Sequence, residues 1–465
     1  MFPNNFLWGS ATASYQAEGA YNQDNRGMTI WDEFTHTPGK SFGDSNGDVA
    51  ADHYHRIDED IRLMKETGHN AYRFSIAWSR ILPQGIGDVN QCGLKYYNEL
   101  IDKLIKNNIE PMVTLYHWDL PLALGNNGSW ENRDTIDAFI KYAKICYKAF
   151  GDRVRIWTTF NEPTYFIKSG YLIGNYPPQV QDFRRAAIVF HNVMVASALA
   201  IRAFREMNVP GEIGVVHAYE TIYPASDKAE DIQAAKFADD IYNNIVYDVT
   251  INGIYPPALT ALLSQHMDLA FIEQDAAILK GSTVDYLGVN YYSRYVVEHY
   301  SGTQTILKEN NSGSIEDKGQ VCIAGLFRIV DVEDAEYNDW DTEIFPQGLT
   351  DALLILKKKY NIPVYITENG IGLRETPATD GSINDDVRVR YIREHVKAIE
   401  KAIELGVDVR GYFHWSTMDL YSWVNGYDKR YGLFYVDFSN GCQRTLKQSA
   451  YAFRDIALSN GTCLN

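Results

Sequence analysis

Two glutamates stand at the ends of apolar runs: Glu162 in WTTFNEP and Glu368 in YITENG. A pair of carboxyl groups facing each other across a cleft suits cleavage of a glycosidic bond. One, as the acid, protonates the leaving oxygen, while the other, ionised, attacks the anomeric carbon. That division of labour needs environments that push the two pKa values apart. Arg73, in NAYRFSI, is the cation expected to hold Glu368 ionised. Glu162, beside neutral Asn161 and an apolar run, is expected to keep its proton. A third stretch, DLYSWVNGYDKRYGLF from Asp419, gathers aromatics and glycines around Ser422 and Lys429. It reads as the lining of a sugar pocket with a cation inside it.

Such residues need a frame. Eight short β-rich runs alternate with helical patterns: FLWGSAT from Phe6, NAYRFSI from Asn70, EPMVTLY from Glu110, VRIWTTF from Val154, IGVVHAY from Ile213, YLGVNYY from Tyr286, PVYITE from Pro363 and VRGYFHW from Val409. Between them, Ile57, Ile61 and Met64 recur at helical spacing over residues 56–67, with Gly68 as the stop. A second stripe begins at Leu94 and ends at Asn107-Asn108. Continuous apolar strands joined by helical crossovers predict a parallel sheet covered on its outer face, and eight units predict a (β/α)₈ TIM barrel. The alternative, an open doubly wound sheet, lacks any glycine-rich nucleotide motif after a strand. The expected organisation is one barrel domain over residues 1–465, with extended loops at its C-terminal face. The polar segment 300–341 reads as a rim loop insertion, with a mobile surface insertion as the other reading.

In a barrel the site lies at the C-terminal strand ends. Those ends carry Gln16 and Glu18; Arg73; His117, Trp118 and Asp119; Asn161 and Glu162; Asn290, Tyr291 and Tyr292; Glu368 and Asn369; His414 and Trp415. Amides, aromatics and two glutamates suit a neutral polyol with one apolar face.

Bulk properties narrow the class. A net charge of −17 opposes a nucleic-acid surface. Screening confines that repulsion to about 8–10 Å, so an anion site is compatible if it has its own cation. The N-terminus MFPNNFLWGS lacks the basic and apolar regions of a signal peptide, and no apolar run approaches the length of a bilayer span. Five cysteines without CxxC spacing read as reduced cytosolic thiols. His53 and His55, in DHYHR, sit at the start of a predicted helix, where i and i+2 diverge, so no metal site is expected.

The motifs FLWGSATASYQAEGA, YRFSIAWSRILP, VTLYHWDLP, WTTFNEP, LGVNYY, YITENG and GYFHWSTMDLYSW span nearly the whole chain. Together they resemble glycoside hydrolase family 1, the β-glucosidase-like retaining enzymes. One departure is LPLAL, where the family often has LPQAL. The resemblance implies Glu162 as general acid/base and Glu368 as nucleophile. It implies Arg73, Tyr292 and Asn290 around the nucleophile, and Gln16, His117, Trp118, Asn161, Trp415 and Trp423 about the glycone, with no cofactor.

Family members acting on plain glucosides resemble DNFEW where this chain has DLYSW, so Ser422 replaces a glutamate. The pattern Ser422-x6-Lys429-x-Tyr431 is similar to the 6-phospho-β-glycosidase branch, in which the three side chains grip a C6 phosphate. A phosphate monoester carries about −1.5 to −2 charges, and a glutamate within about 4 Å would oppose it by several kcal/mol. Arg430, adjacent to Lys429, is expected to point elsewhere. Trp423 resembles the residue of members that accept galactose 6-phosphate, so 6-phospho-β-galactosidase is favoured, with dual gluco/galacto activity next. The alternatives are a β-glucosidase or β-galactosidase for unphosphorylated sugars, and a non-catalytic sugar-binding relative. The expected partner is a phosphorylated disaccharide or β-glycoside, with neither nucleic acid nor membrane, in the cytoplasm.

Overall fold

The computed structural model describes residues 1–464. Eight parallel strands close into a barrel: β1 Leu7–Ala11, β2 Ala71–Ser75, β3 Glu110–Tyr116, β4 Ile156–Asn161, β5 Glu212–Ala218, β6 Tyr286–Asn290, β7 Val364–Asn369 and β8 Val409–Trp415. Each coincides with one of the eight predicted runs. Closure is made by β1 and β8, in register from Leu7 opposite Gly411 to Ala11 opposite Trp415. The strands are buried almost throughout, because helices cover their outer faces and side chains fill the barrel.

The helix predicted over 56–67 forms as Ile57–Glu66. The one predicted from Leu94 begins earlier, as Gln91–Lys106, because the Asn90 side chain accepts the Cys92 N–H at 3.2 Å and caps it. Phe183–Glu206, 24 residues, corrects the expectation that no run is apolar enough to span a bilayer. It packs on β4 and β5, and its most apolar stretch is largely buried. Its composition reflects contact with the barrel on one side and neighbouring helices on the other. His53 and His55 form a short 3₁₀ turn just before the Ile57 helix, and His53 Nδ1 lies 2.7 Å from Asp60.

The 300–341 segment contains strands that its polar composition hid. Ile306–Lys308, Gln320–Ile323 and Phe327–Val330 join Thr221–Pro224 and Arg294–His299 in a five-stranded sheet above the barrel mouth. Strands of three or four residues are too short for periodicity to reveal. Only Phe327–Val330 pairs with a strand outside the segment, Arg294–His299.

Candidate active site

The mouth of the barrel opens into a cavity of about 330 Å³ that both glutamates line. Glu162 follows β4 directly, in the left-handed region at φ 45°, and its N–H donates to Val216 O at 2.8 Å. Trp118 (φ 77°) and Trp423 (φ 51°) line the same cavity in the same strained region. Bulky residues hold such φ values only where the surroundings impose them, at a cost of roughly 1–3 kcal/mol each.

Beneath the cavity, hydrogen bonds link the two carboxyls. Arg73 Nη1 donates to Glu368 Oε1 at 2.7 Å, and its Nη2 to Asn161 Oδ1 at 2.7 Å. Asn290 Nδ2 donates to Glu162 Oε1 at 2.7 Å and, at 3.2 Å, to the same Asn161 oxygen. Tyr292 OH donates to Glu368 Oε2 at 2.7 Å. Arg73 and Asn290 therefore support the site from below while Tyr292 also faces the cavity.

Burial pushes both carboxyls up. Glu162 is raised to about 8, with the nearby charge of Glu368 adding to the rise. Glu368 is raised too, although the Arg73 guanidinium, the cation expected to hold it ionised, acts to lower it. Desolvation outweighs the guanidinium, as it often does for a buried ion pair. The opposing interactions still separate the two groups. Glu368 receives a cation and a phenol, whereas Glu162 receives one neutral amide. The proton belongs on Glu162 and the negative charge on Glu368.

Several polar atoms around this pair lack a protein partner. Gln16 Nε2 donates to Tyr421 O at 2.8 Å, but its Oε1 is buried and unpaired, as is Nδ1 of His117. Burial and the Arg73 charge hold His117 neutral. Orphaned buried polar atoms cost about 1–3 kcal/mol each unless something else satisfies them, and both residues line the cavity. Trp415 and Trp423 present rings to it. Trp118 is there as a ring only, since its indole N–H is spent on Asn161 O at 2.9 Å.

Four strand-end residues take structural posts instead. Glu18 binds Arg80 at 2.6 Å and Tyr97 at 2.6 Å, and Asp119 accepts from Ser14 at 2.7 Å. Asn369 donates to Tyr291 O, and His414 Nε2 lies 3.2 Å from Tyr431 O.

The same cavity is lined by Ser422, Lys429 and Tyr431. Arg430 turns away and donates to Asp419 at 2.7 Å. Lys429 is half-buried, and burial lowers it to about 8. The two carboxylates whose fields reach it already have cations: Glu309 is held by Lys168 at 2.7 Å and Asp341 by Lys318 at 2.9 Å. Among the described residues Lys429 has no ion pair and no hydrogen bond; its ammonium faces the rings of Trp340 at 5.1 Å and Tyr431 at 5.7 Å.

Sequence reasoning missed the Glu162-side wall, where Tyr165, Lys168, Glu220 and Tyr295 line the cavity with Glu309. Only the rim sheet brings Glu309 opposite Lys168, so no local signal marked the pair. Among the described residues no group of three or more His, Cys, Asp or Glu could share a metal ion.

The model of glycosyl hydrolase family 1 matches residues 1–462. The chain belongs to that family. This family 1 glycosidase is 44% identical to a 6-phospho-beta-galactosidase of Clostridium acetobutylicum, covering 98% of this chain and 97% of the relative. It is 41% identical to the aryl-phospho-beta-D-glucosidase BglC of Bacillus subtilis, covering 100% and 98%. In structure it is similar to the beta-glucosidase from Thermotoga maritima in complex with glucoimidazole. That match has a TM-score of 0.91 at 38% identity, with 99% of both chains covered.

Proposed function

We propose that this family 1 enzyme is a retaining 6-phospho-β-glycosidase. It hydrolyses 6-phospho-β-galactosides, and also 6-phospho-β-glucosides, to hexose 6-phosphate and the free aglycone. The observation that carries this reading is Lys429, an ammonium lining the cavity of Glu162 and Glu368 with no carboxylate of its own among the described residues. A dianionic ester is the group that would complete it. Ser422 and Tyr431 supply hydroxyls beside it, and no acid stands where Ser422 does. The names of the two relatives at 44% and 41% identity support the same substrate class.

In the first step Glu162 gives its proton to the glycosidic oxygen as Glu368 attacks the anomeric carbon. The aglycone leaves as an alcohol and a glycosyl ester remains on Glu368. Glu162, now a carboxylate, then takes a proton from water. That oxygen bonds to the anomeric carbon, Glu368 is released, and Glu162 is again an acid. Both proton transfers pass through Glu162, so the steps as written call on no cofactor. Gln16, His117, Asn161 and Trp415 hold the glycone. Trp423 faces its O4 side with an indole N–H that has no acceptor among the described residues, which suits galacto as well as gluco epimers. A phosphorylated sugar does not cross a bilayer unaided, which suits a cytoplasmic enzyme fed by phosphorylating uptake.

The test is a pair of chromogenic β-galactosides, with and without the 6-phosphate. The phosphorylated one is expected to show the higher kcat/KM. Preference for the plain sugar would favour the second reading, a β-glycosidase of unphosphorylated substrates, to which the Thermotoga likeness lends its support.

A further inference from the structure

The loop that leaves β7 and the turn that carries Lys429 form one backbone structure. Leu373 N–H donates to Arg430 O at 2.9 Å and Arg430 N–H to Leu373 O at 3.0 Å, an antiparallel bridge. That register sets Gly372 against Lys429 and Tyr431. A Cβ at Gly372 would stand 2.6 Å from Lys429 Cγ, 2.8 Å from Lys429 Cε and 3.1 Å from Tyr431 Cζ. Carbon atoms in good contact are about 3.5–4.0 Å apart, so the lysine stem would have to leave.

The backbone itself does not ask for glycine here. Gly372 lies outside the left-handed region, unlike seventeen other glycines of the chain. Its φ is thus not in the range that side-chain-bearing residues rarely adopt. What excludes an alanine is the side chain lying across the loop.

We propose that Gly372 is a specificity-determining positioning residue for the C6 phosphate. Its missing Cβ is the space in which Lys429 lays its stem, so that the ammonium enters the cavity that Ser422 and Tyr431 also line. The inference rests on the phosphoglycosidase reading above. Gly372 lines the same cavity, and its proposed effect on the phosphate is exerted through Lys429. Because it lies four residues beyond Glu368, it also links the position of the phosphate grip to the strand that carries the attacking carboxylate.

The experiment measures kcat and KM for 4-nitrophenyl 6-phospho-β-galactoside and for 4-nitrophenyl β-galactoside. It compares the wild type, Gly372→Ala, Lys429→Ala and the double variant, in which the clash with the lysine stem is absent and only the 3.1 Å approach to Tyr431 Cζ remains. Gly372→Ala is expected to raise KM for the phosphorylated substrate roughly 10- to 100-fold, the range of a lost charge-assisted contact. The ratio of phosphorylated to plain kcat/KM should fall accordingly. In the Lys429→Ala background the same substitution should leave that ratio within about twofold, since its target is gone. If Lys429→Ala lowers the ratio and Gly372→Ala does not, the inference fails and the phosphate reading stands. If Gly372→Ala weakens both substrates equally, its role is general packing and the inference also fails. A wild type with no preference for the phosphorylated substrate overturns the underlying reading and the inference with it.

Discussion

Arg73 Nη1 lies 2.7 Å from Glu368 Oε1, with side chains only 1% and 4% exposed. The guanidinium does not draw Glu368 below the ordinary carboxylate range, because burial raises the group by more than the cation lowers it. It decides instead which of two buried carboxyls ionises first. Arg73 also donates to Asn161, whose oxygen accepts from Asn290, and Asn290 in turn donates to Glu162, so Arg73 is tied into the frame around both carboxyls.

Removal of this cation therefore has two expected effects. Arg73→Met should cost about 3–5 kcal/mol of stability, the penalty of leaving a buried charge unpaired, read as a lower denaturant midpoint. In the folded variant Glu368 would hold its proton to higher pH, so the acidic limb of kcat/KM should move upward. An unmoved acidic limb would detach Arg73 from the ionisation of Glu368.

Glu162 must be protonated to act as the acid. With its pKa raised to about 8, kcat/KM should be sustained below that value and fall as pH rises through it. Glu162→Gln should abolish this basic limb and lower kcat/KM by about 10²–10⁴-fold for poor leaving groups. The loss should be smaller for nitrophenolate, which needs less protonation. Profiles of both enzymes from pH 5 to 10 test the assignment.

Lys429→Ala should raise KM for 6-phosphoglycosides by an amount corresponding to about 1.5–3 kcal/mol, with little change in kcat. The wild type offers a second signature. Burial lowers the ammonium to about 8, so deprotonation above that pH should raise KM for phosphorylated substrates and not for plain ones. The Glu162 limb differs, because it appears with either substrate.

Ser422→Glu introduces an acid into the cavity where the proposed C6 phosphate would bind. A carboxylate close to a dianion is opposed by several kcal/mol at an effective dielectric near 20. The ratio of phosphorylated to plain kcat/KM should drop by about 10²-fold or more. An unchanged ratio would place the phosphate elsewhere.

Stereochemistry tests the covalent step. A nucleophile with a separate acid/base requires net retention, for which carboxyl groups stand about 5–5.5 Å apart. Proton NMR of the first-formed hexose 6-phosphate should show the β anomer before mutarotation. Initial α product would mean a single displacement by water.

Much of this was readable from residues in order. Strands of a parallel barrel are covered on both faces, so VRIWTTF or YLGVNYY appear as unbroken apolar runs. Helices between them carry the 3.6-residue period, and the end of each strand marks where site residues must fall. Tertiary structure alone decided which of those residues face the substrate. Gln16 and Glu18 are two positions apart in one helical turn, yet one lines the cavity and the other is consumed by Arg80 and Tyr97. Glu368 is raised because its ionisation responds to desolvation by everything around it, a sum that no motif carries. Lys429 has no ion pair among the described residues because Lys168 and Lys318, distant in the chain, neutralise its acidic neighbours, and only loop pairing sets Gly372 against that lysine. Periodicity is a property of neighbours in sequence; charge balance and free volume belong to neighbours in space.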